Sequence, residues 1–141
     1  MTAMHRVIRG SLFVAFIGVI NLGSNIIAIP ASADVATDWN NAALDAIRAD
    51  RTVPPVASRS LAIAHAAIYD AVNGIARTHE PYLVPSAVPT SASRVAAASA
   101  AAHQALLSLF PSHTSMFDGL HAAILAGIPN GPQKTNGIAW G

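Results

Sequence analysis

Cysteine is absent, and with it go disulfides and thiolate metal sites. Charge is scarce: 11% of the 141 residues are charged, against 52% apolar. That balance excludes intrinsic disorder, which goes with few apolar residues and high net charge. There is one lysine, Lys134, and no basic run or stripe, so no nucleic-acid partner is expected. Aromatics make up only 6%. A core must therefore be built from Ala, Leu, Ile and Val, and must close by near approach of backbones. Neither a fixed-period repeat nor useful apolar–polar alternation exists, so strands are not expected.

The first 33 residues read as an address. His5, Arg6 and Arg9 form a positive start, residues 11–20 (SLFVAFIGVI) an apolar run, and Ala31-Ser32-Ala33 a small-residue cleavage signal. A secretory signal peptide, residues 1–33, is the expectation, with contact to a membrane only in transit and a secreted product. The alternative is a retained anchor, because residues 11–29 approach spanning length; Asn21, Gly23, Ser24 and Asn25 interrupt that run. Beyond residue 33, six basic and seven acidic side chains give a formal charge of −1.

Residues 34–141 read as an all-α helical bundle of about four helices. Thr37 or Asp38 can cap a first helix over residues 39–50, with Leu44, Ile47 and Trp39 on its apolar side. Asp45 and Arg48, three apart, suit a surface pair. The organising stretch is residues 54–82, an almost wholly apolar helix started by Pro54-Pro55. Leu61, His65, Ile68, Val72 and Ile75 share one face, and Arg59, Asp70, Asn73 and Arg77 the other. This helix is expected at the centre of the domain. Residues 79–90 hold three prolines and read as a loop pressed onto the domain through Tyr82, Leu83 and Val84. Ser91 or Ser93 then caps an alanine-rich helix to Phe110, with Val95, Ala98, Ala102, Leu106 and Leu109 inward. Pro111 ends it, and Ser112 caps a fourth helix over residues 113–126 with Phe117, Leu120 and Ile124 inward. After the Asn130-Gly131-Pro132 turn a last helix has barely begun, leaving Ile138 and Trp140 in need of a partner.

Two segments carry a resemblance. W-N-x-x-x-L-D-A-I-R at residues 39–48 and R-x-L-A-I-x-H-A-A-I-Y-D-A-V-N at residues 59–73 resemble the amino-terminal region of secreted vanadium-dependent haloperoxidase-related proteins. These sit within the type 2 phosphatidic acid phosphatase superfamily. The likeness covers residues 35–141. It implies a haloperoxidase-type helical bundle in which a lysine, two arginines and a Ser-Gly-His stretch hold vanadate or phosphate. A second histidine bonds the metal or attacks phosphorus. In that family these groups lie in the carboxy-terminal half, and this sequence has neither R-P followed by P-S-G-H nor a later S-R-x-x-x-x-x-H. No catalytic, cofactor-binding or metal-ligating residue is therefore assigned, and vanadate is expected only in a full-length relative. The expected partner is the missing carboxy-terminal half, or a second copy, covering exposed helix faces.

Some residues invite chemistry. Pro111-Ser112-His113 looks like P-S-G-H without its glycine, but a helix stop and a serine cap account for it. His65 reads as a hydrogen-bonded core histidine. Asp70 and Asn73, with Arg59 or Arg77, can form a polar network against a neighbouring helix. His103, His113 and His121 read as scattered surface histidines, although Asp118 and His121 share a face. The chain is thus expected to be a truncated haloperoxidase-like or phosphatase-like protein, inactive alone. The rival is a self-sufficient secreted helical binding or structural module.

Overall fold

The computed structural model describes residues 34–86, 88 and 91–141. The signal-peptide expectation lies outside these residues. Those described form an all-α bundle with no strand: α1 (Val35–Ala49), α2 (Pro54–Ala76), α3 (Arg94–Leu109), α4 (Thr114–Ala126) and α5 (Pro132–Trp140). No helix among them is long and apolar enough to cross a membrane.

The helix starts follow local chemistry. Asp34 caps α1, its carboxylate accepting from the Ala36 N–H. This moves the start four residues ahead of the expected one, so Thr37 and Asp38 lie inside the helix. Pro54 and Pro55 open α2, which ends when Arg77 turns into the left-handed region at φ 53°. Ser93 caps α3 through the Ala96 N–H. Ser112 caps nothing: Pro111–His113 is a 3-10 turn, and α4 begins at Thr114 without a side-chain cap.

The hub of the bundle is α3 rather than α2. It packs against α1, α2, α4 and α5, whereas α2 packs chiefly on α3 and α1. Alanine explains this. Ala96, Ala97, Ala98, Ala101 and Ala102 are buried on several sides of α3, and their short side chains let four neighbours approach. Val95 is exposed, against expectation, because the apolar surface of α3 extends almost all round and its larger residues do not choose the buried side. The same holds in part in α1, where Ala42, Ala43 and Ala46 are buried with Trp39; half-buried Ile47 packs against this core as expected, while Leu44 is only half-buried.

Two clusters make the core. One joins Trp39, Ala43, Ile68, Ala102, Leu106 and Phe117 across α1 to α4. The other joins Ala71, Ile75, Ala97 and Ala101, with Trp140 packed against them. Trp140 therefore has a partner within the chain. Its indole N–H donates to the Ala71 carbonyl at 2.9 Å, and its ring lies over Gly74, where an added Cβ would stand 2.5 Å from it. Gly137 seats α5 against the Ser93 carbonyl by the same close approach. Gly74→Ala is expected to displace Trp140 and cost about 1–3 kcal/mol. The checks are a lower denaturation midpoint and a red-shifted indole emission.

Candidate functional site

Three polar residues of the I-Y-D-A-V-N stretch on α2 act together on the loop that follows. Asp70, only 6% exposed, accepts three backbone N–H groups: Tyr82 on Oδ1 at 2.7 Å, and Leu83 and Val84 on Oδ2 at 2.8 and 2.9 Å. Asn73 makes a two-way bond with His79, donating to its carbonyl at 2.7 Å and accepting from its N–H at 3.0 Å. The Tyr69 hydroxyl donates to the Glu80 carbonyl, and the Arg77 guanidinium to the Val88 carbonyl. The polar face of α2 thus grips a loop, where a neighbouring helix was expected, and Arg59 takes no part in these bonds. Burial alone would raise the Asp70 pKa. The N–H donors of Tyr82, Val84 and Leu83 outweigh it and hold the carboxyl below its usual value.

The loop is pinned by its backbone and turns its side chains outward. Tyr82 and Leu83 are 75% and 78% exposed, against the expectation that they press inward. The reason is geometric: a carboxylate that collects three successive N–H groups takes the concave side of the turn and leaves the side chains outside. They form one wall of an open groove of about 590 Å³. Its floor is Ala66, Ala67 and Ala101 of α2 and α3, with Ile63, Leu109 and Trp140 around it. Gln104 and Ser108 are among its few polar groups. The Asp70 carboxylate also borders the groove, its oxygens occupied by the loop N–H groups, and the rest of the lining is mainly apolar.

A second cluster joins α1, α3 and α4. The Trp39 indole N–H donates to Ser99 Oγ at 3.2 Å, and that hydroxyl lies 2.9 Å from His121 Nδ1. The His121 ring stacks on His103 with centroids 4.5 Å apart and planes 12° apart. His103 Nε2 donates to Asp118 at 2.7 Å. These histidines are therefore not scattered; α3 and α4 bring two of them face to face. His113 stands apart, donating to Asp50 at 2.8 Å. Burial, helped by the His103 charge, lowers the His121 pKa against the opposing pull of Asp118 and a bond with the Ser99 backbone. Ser99 is fully buried, so this Ser–His contact offers no nucleophile to a substrate. Sequence reading passed over Ser99 and Tyr69. A serine amid ten alanine-rich positions was the one available sign of the first, and nothing local marks the second.

His65 is exposed rather than in the core, and its ring donates to Asn40 Oδ1 at 3.0 Å. Four-residue spacing placed it on the Leu61–Ile68 side, but that line runs along the edge of the α1–α2 contact. The cations do not converge. Lys134 Nζ donates to the Leu125 and Ile128 carbonyls and to Asn130 Oδ1, closing the end of α4. Arg48 pairs with Asp45 on the surface, as expected, and Arg77 holds the loop. Among the described residues no group of three or more His, Asp or Glu could hold a metal ion. These side chains do not fit a vanadate or phosphate, which needs several cations and N–H donors aimed at one point. Compared with protein-family models, with curated proteins and with solved structures, the chain finds no match.

Proposed function

We propose that these helices are the scaffold portion of a secreted, haloperoxidase-like or phosphatase-like architecture, whose oxyanion-holding groups come from polypeptide outside this sequence. The observation that carries the reading is what the resembling segments do. Trp39 is sealed in the core, and Tyr69, Asp70 and Asn73 are committed to a loop. Residues engaged in this way shape a framework. The open α2–α3 groove is the surface on which the remaining helices, or a second copy in their place, would be seated. A complete relative would oxidise halide with peroxide at vanadate, or hydrolyse a phosphate ester there; this chain does neither.

Two measurements test it. The purified chain supplied with vanadate is expected to oxidise no halide and release no phosphate; robust turnover would overturn the assignment. In size-exclusion chromatography it is expected to self-associate, and Leu83→Glu, at an exposed rim position, to restore a monomer. The rival reading, a self-sufficient binding module, is favoured by one fact. Among the described residues, every buried side-chain N and O is hydrogen-bonded. It expects a monodisperse species with a cooperative melt, unchanged by Leu83→Glu.

A further inference from the structure

Three asparagines are each followed by glycine: Asn73-Gly74, Asn130-Gly131 and Asn136-Gly137. Glycine leaves its backbone nitrogen open to the preceding side-chain amide, because no Cβ stands in the way. That nitrogen can attack the amide carbon and displace ammonia. The fold treats the three pairs differently. We propose that Asn130-Gly131 is a self-modifying site, at which the Lys134 ammonium promotes conversion of the asparagine to aspartyl and isoaspartyl residues, while helices protect the other two pairs.

Protection comes from the backbone. Asn73 and Gly74 lie within α2, and Asn136 and Gly137 within α5. A helical N–H bonds to the carbonyl four residues back, and a ψ of about −42° turns the next nitrogen away from the side chain. Asn73 is held further by its two bonds with His79, and Gly137 is buried against the Ser93 carbonyl. Asn130, by contrast, is exposed in the turn between α4 and α5. Among the described residues the Gly131 N–H has no backbone acceptor, while its carbonyl is fixed by the Thr135 N–H and hydroxyl. Asn130 Oδ1 accepts from Lys134 Nζ at 3.1 Å. The Leu125 and Ile128 carbonyls hold that ammonium at 2.7 and 3.3 Å, so its remaining donor is aimed before reaction begins.

The step balances with water alone. The Gly131 nitrogen gives its proton to solvent and bonds to Asn130 Cγ. Negative charge develops on Oδ1, where Lys134 Nζ stands ready to stabilise it. The Cγ–Nδ2 bond then breaks, and Nδ2 takes up a proton and leaves as ammonia. Water opens the resulting cyclic imide. Attack at Cγ gives aspartate on an unchanged backbone, now an ion-pair partner for Lys134. Attack at the main-chain carbonyl gives the isoaspartyl link, which adds one methylene to the chain just before α5.

Peptide mapping by mass spectrometry, on the full chain incubated at neutral pH, reads all three sites at once. In the folded chain Asn130 is expected to convert at least about tenfold faster than Asn73 or Asn136, which react only on local opening. In concentrated guanidinium chloride the three rates are expected to converge, with Asn130 slower than in the folded chain. Lys134→Gln is expected to slow folded Asn130 by roughly threefold to tenfold, less than an enclosed oxyanion hole would lose because this turn is open to water. Asn136 reports whether α5 stays intact in that variant; should it not, the folded and denatured wild-type rates decide. Equal rates at the three folded sites, an Asn130 no faster folded than denatured, or an intact Lys134→Gln chain converting at the wild-type rate would each overturn the proposal.

Discussion

Trp39→Ala is expected to cost about 3–5 kcal/mol, the range for deleting a buried large aromatic. Trp39 is 1% exposed and is the largest fully buried side chain among the described residues. It meets Phe117 and His103 with ring centroids near 6 Å and sits among alanines that cannot expand to fill its space. The surrounding helices would have to collapse by whole-body movement, and α3, shared by four neighbours, resists that. A loss of this size is a large part of the roughly 5–15 kcal/mol that holds a small domain together. Urea denaturation followed by circular dichroism is expected to show a midpoint shifted far down, or no folded baseline. Trp39→Phe separates packing from hydrogen bonding. It keeps most of the ring and removes the N–H donated to Ser99, at an expected cost of about 1–2 kcal/mol.

Asp70→Asn should come next in size, at about 2–4 kcal/mol, since hydrogen bonds to a charged, buried group are among the stronger ones. The amide nitrogen must face either the Tyr82 N–H or the pair from Leu83 and Val84, so donor meets donor whichever way it turns. The helices are expected to survive while the loop comes free. In hydrogen-exchange terms, the amides of residues 82–84 lose protection and those of α2 keep it. The acid response differs as well. Because the folded carboxyl titrates below its usual value, its contribution is complete above an ordinary Asp pKa of about 3.9 and disappears as pH falls through the lower folded value. The variant's stability is therefore expected to be flatter than wild type below about pH 4. An acid limb identical in the two proteins would show that the three N–H contacts contribute nothing.

How much of this was readable beforehand differs by element. The proline pair at Pro54, the Ser93 cap, the Pro111 stop and the turn at Gly131 set helix limits by local backbone chemistry, and they could be read one residue at a time. The side each helix buries could not be read in that way. In α1 and α3 alanine occurs all round, so the spacing of leucine and valine does not identify the core, and Val95 and Leu44 were misplaced for that reason. Partners were harder still. Asp70 and Tyr82 are twelve residues apart, Ser99 and His121 twenty-two, and Trp140 and Ala71 sixty-nine. No periodicity connects such pairs.

The sequence by itself determined that this is an all-α protein rich in small core side chains and where most helix limits fall, although α2 stops at Ala76 rather than at residue 82 and Trp39, Phe110 and Phe117 join the alanines in the core. Those properties rest on backbone propensity and capping, which act over one or two turns. Only the tertiary structure decided that α3 is the hub, that a buried aspartate clamps a loop by its backbone, and that two histidines stack across α3 and α4. The hub and the stacked histidines depend on how closely two helices approach, which an alanine surface permits from almost any side, and the clamp depends on where the loop after α2 returns to Asp70.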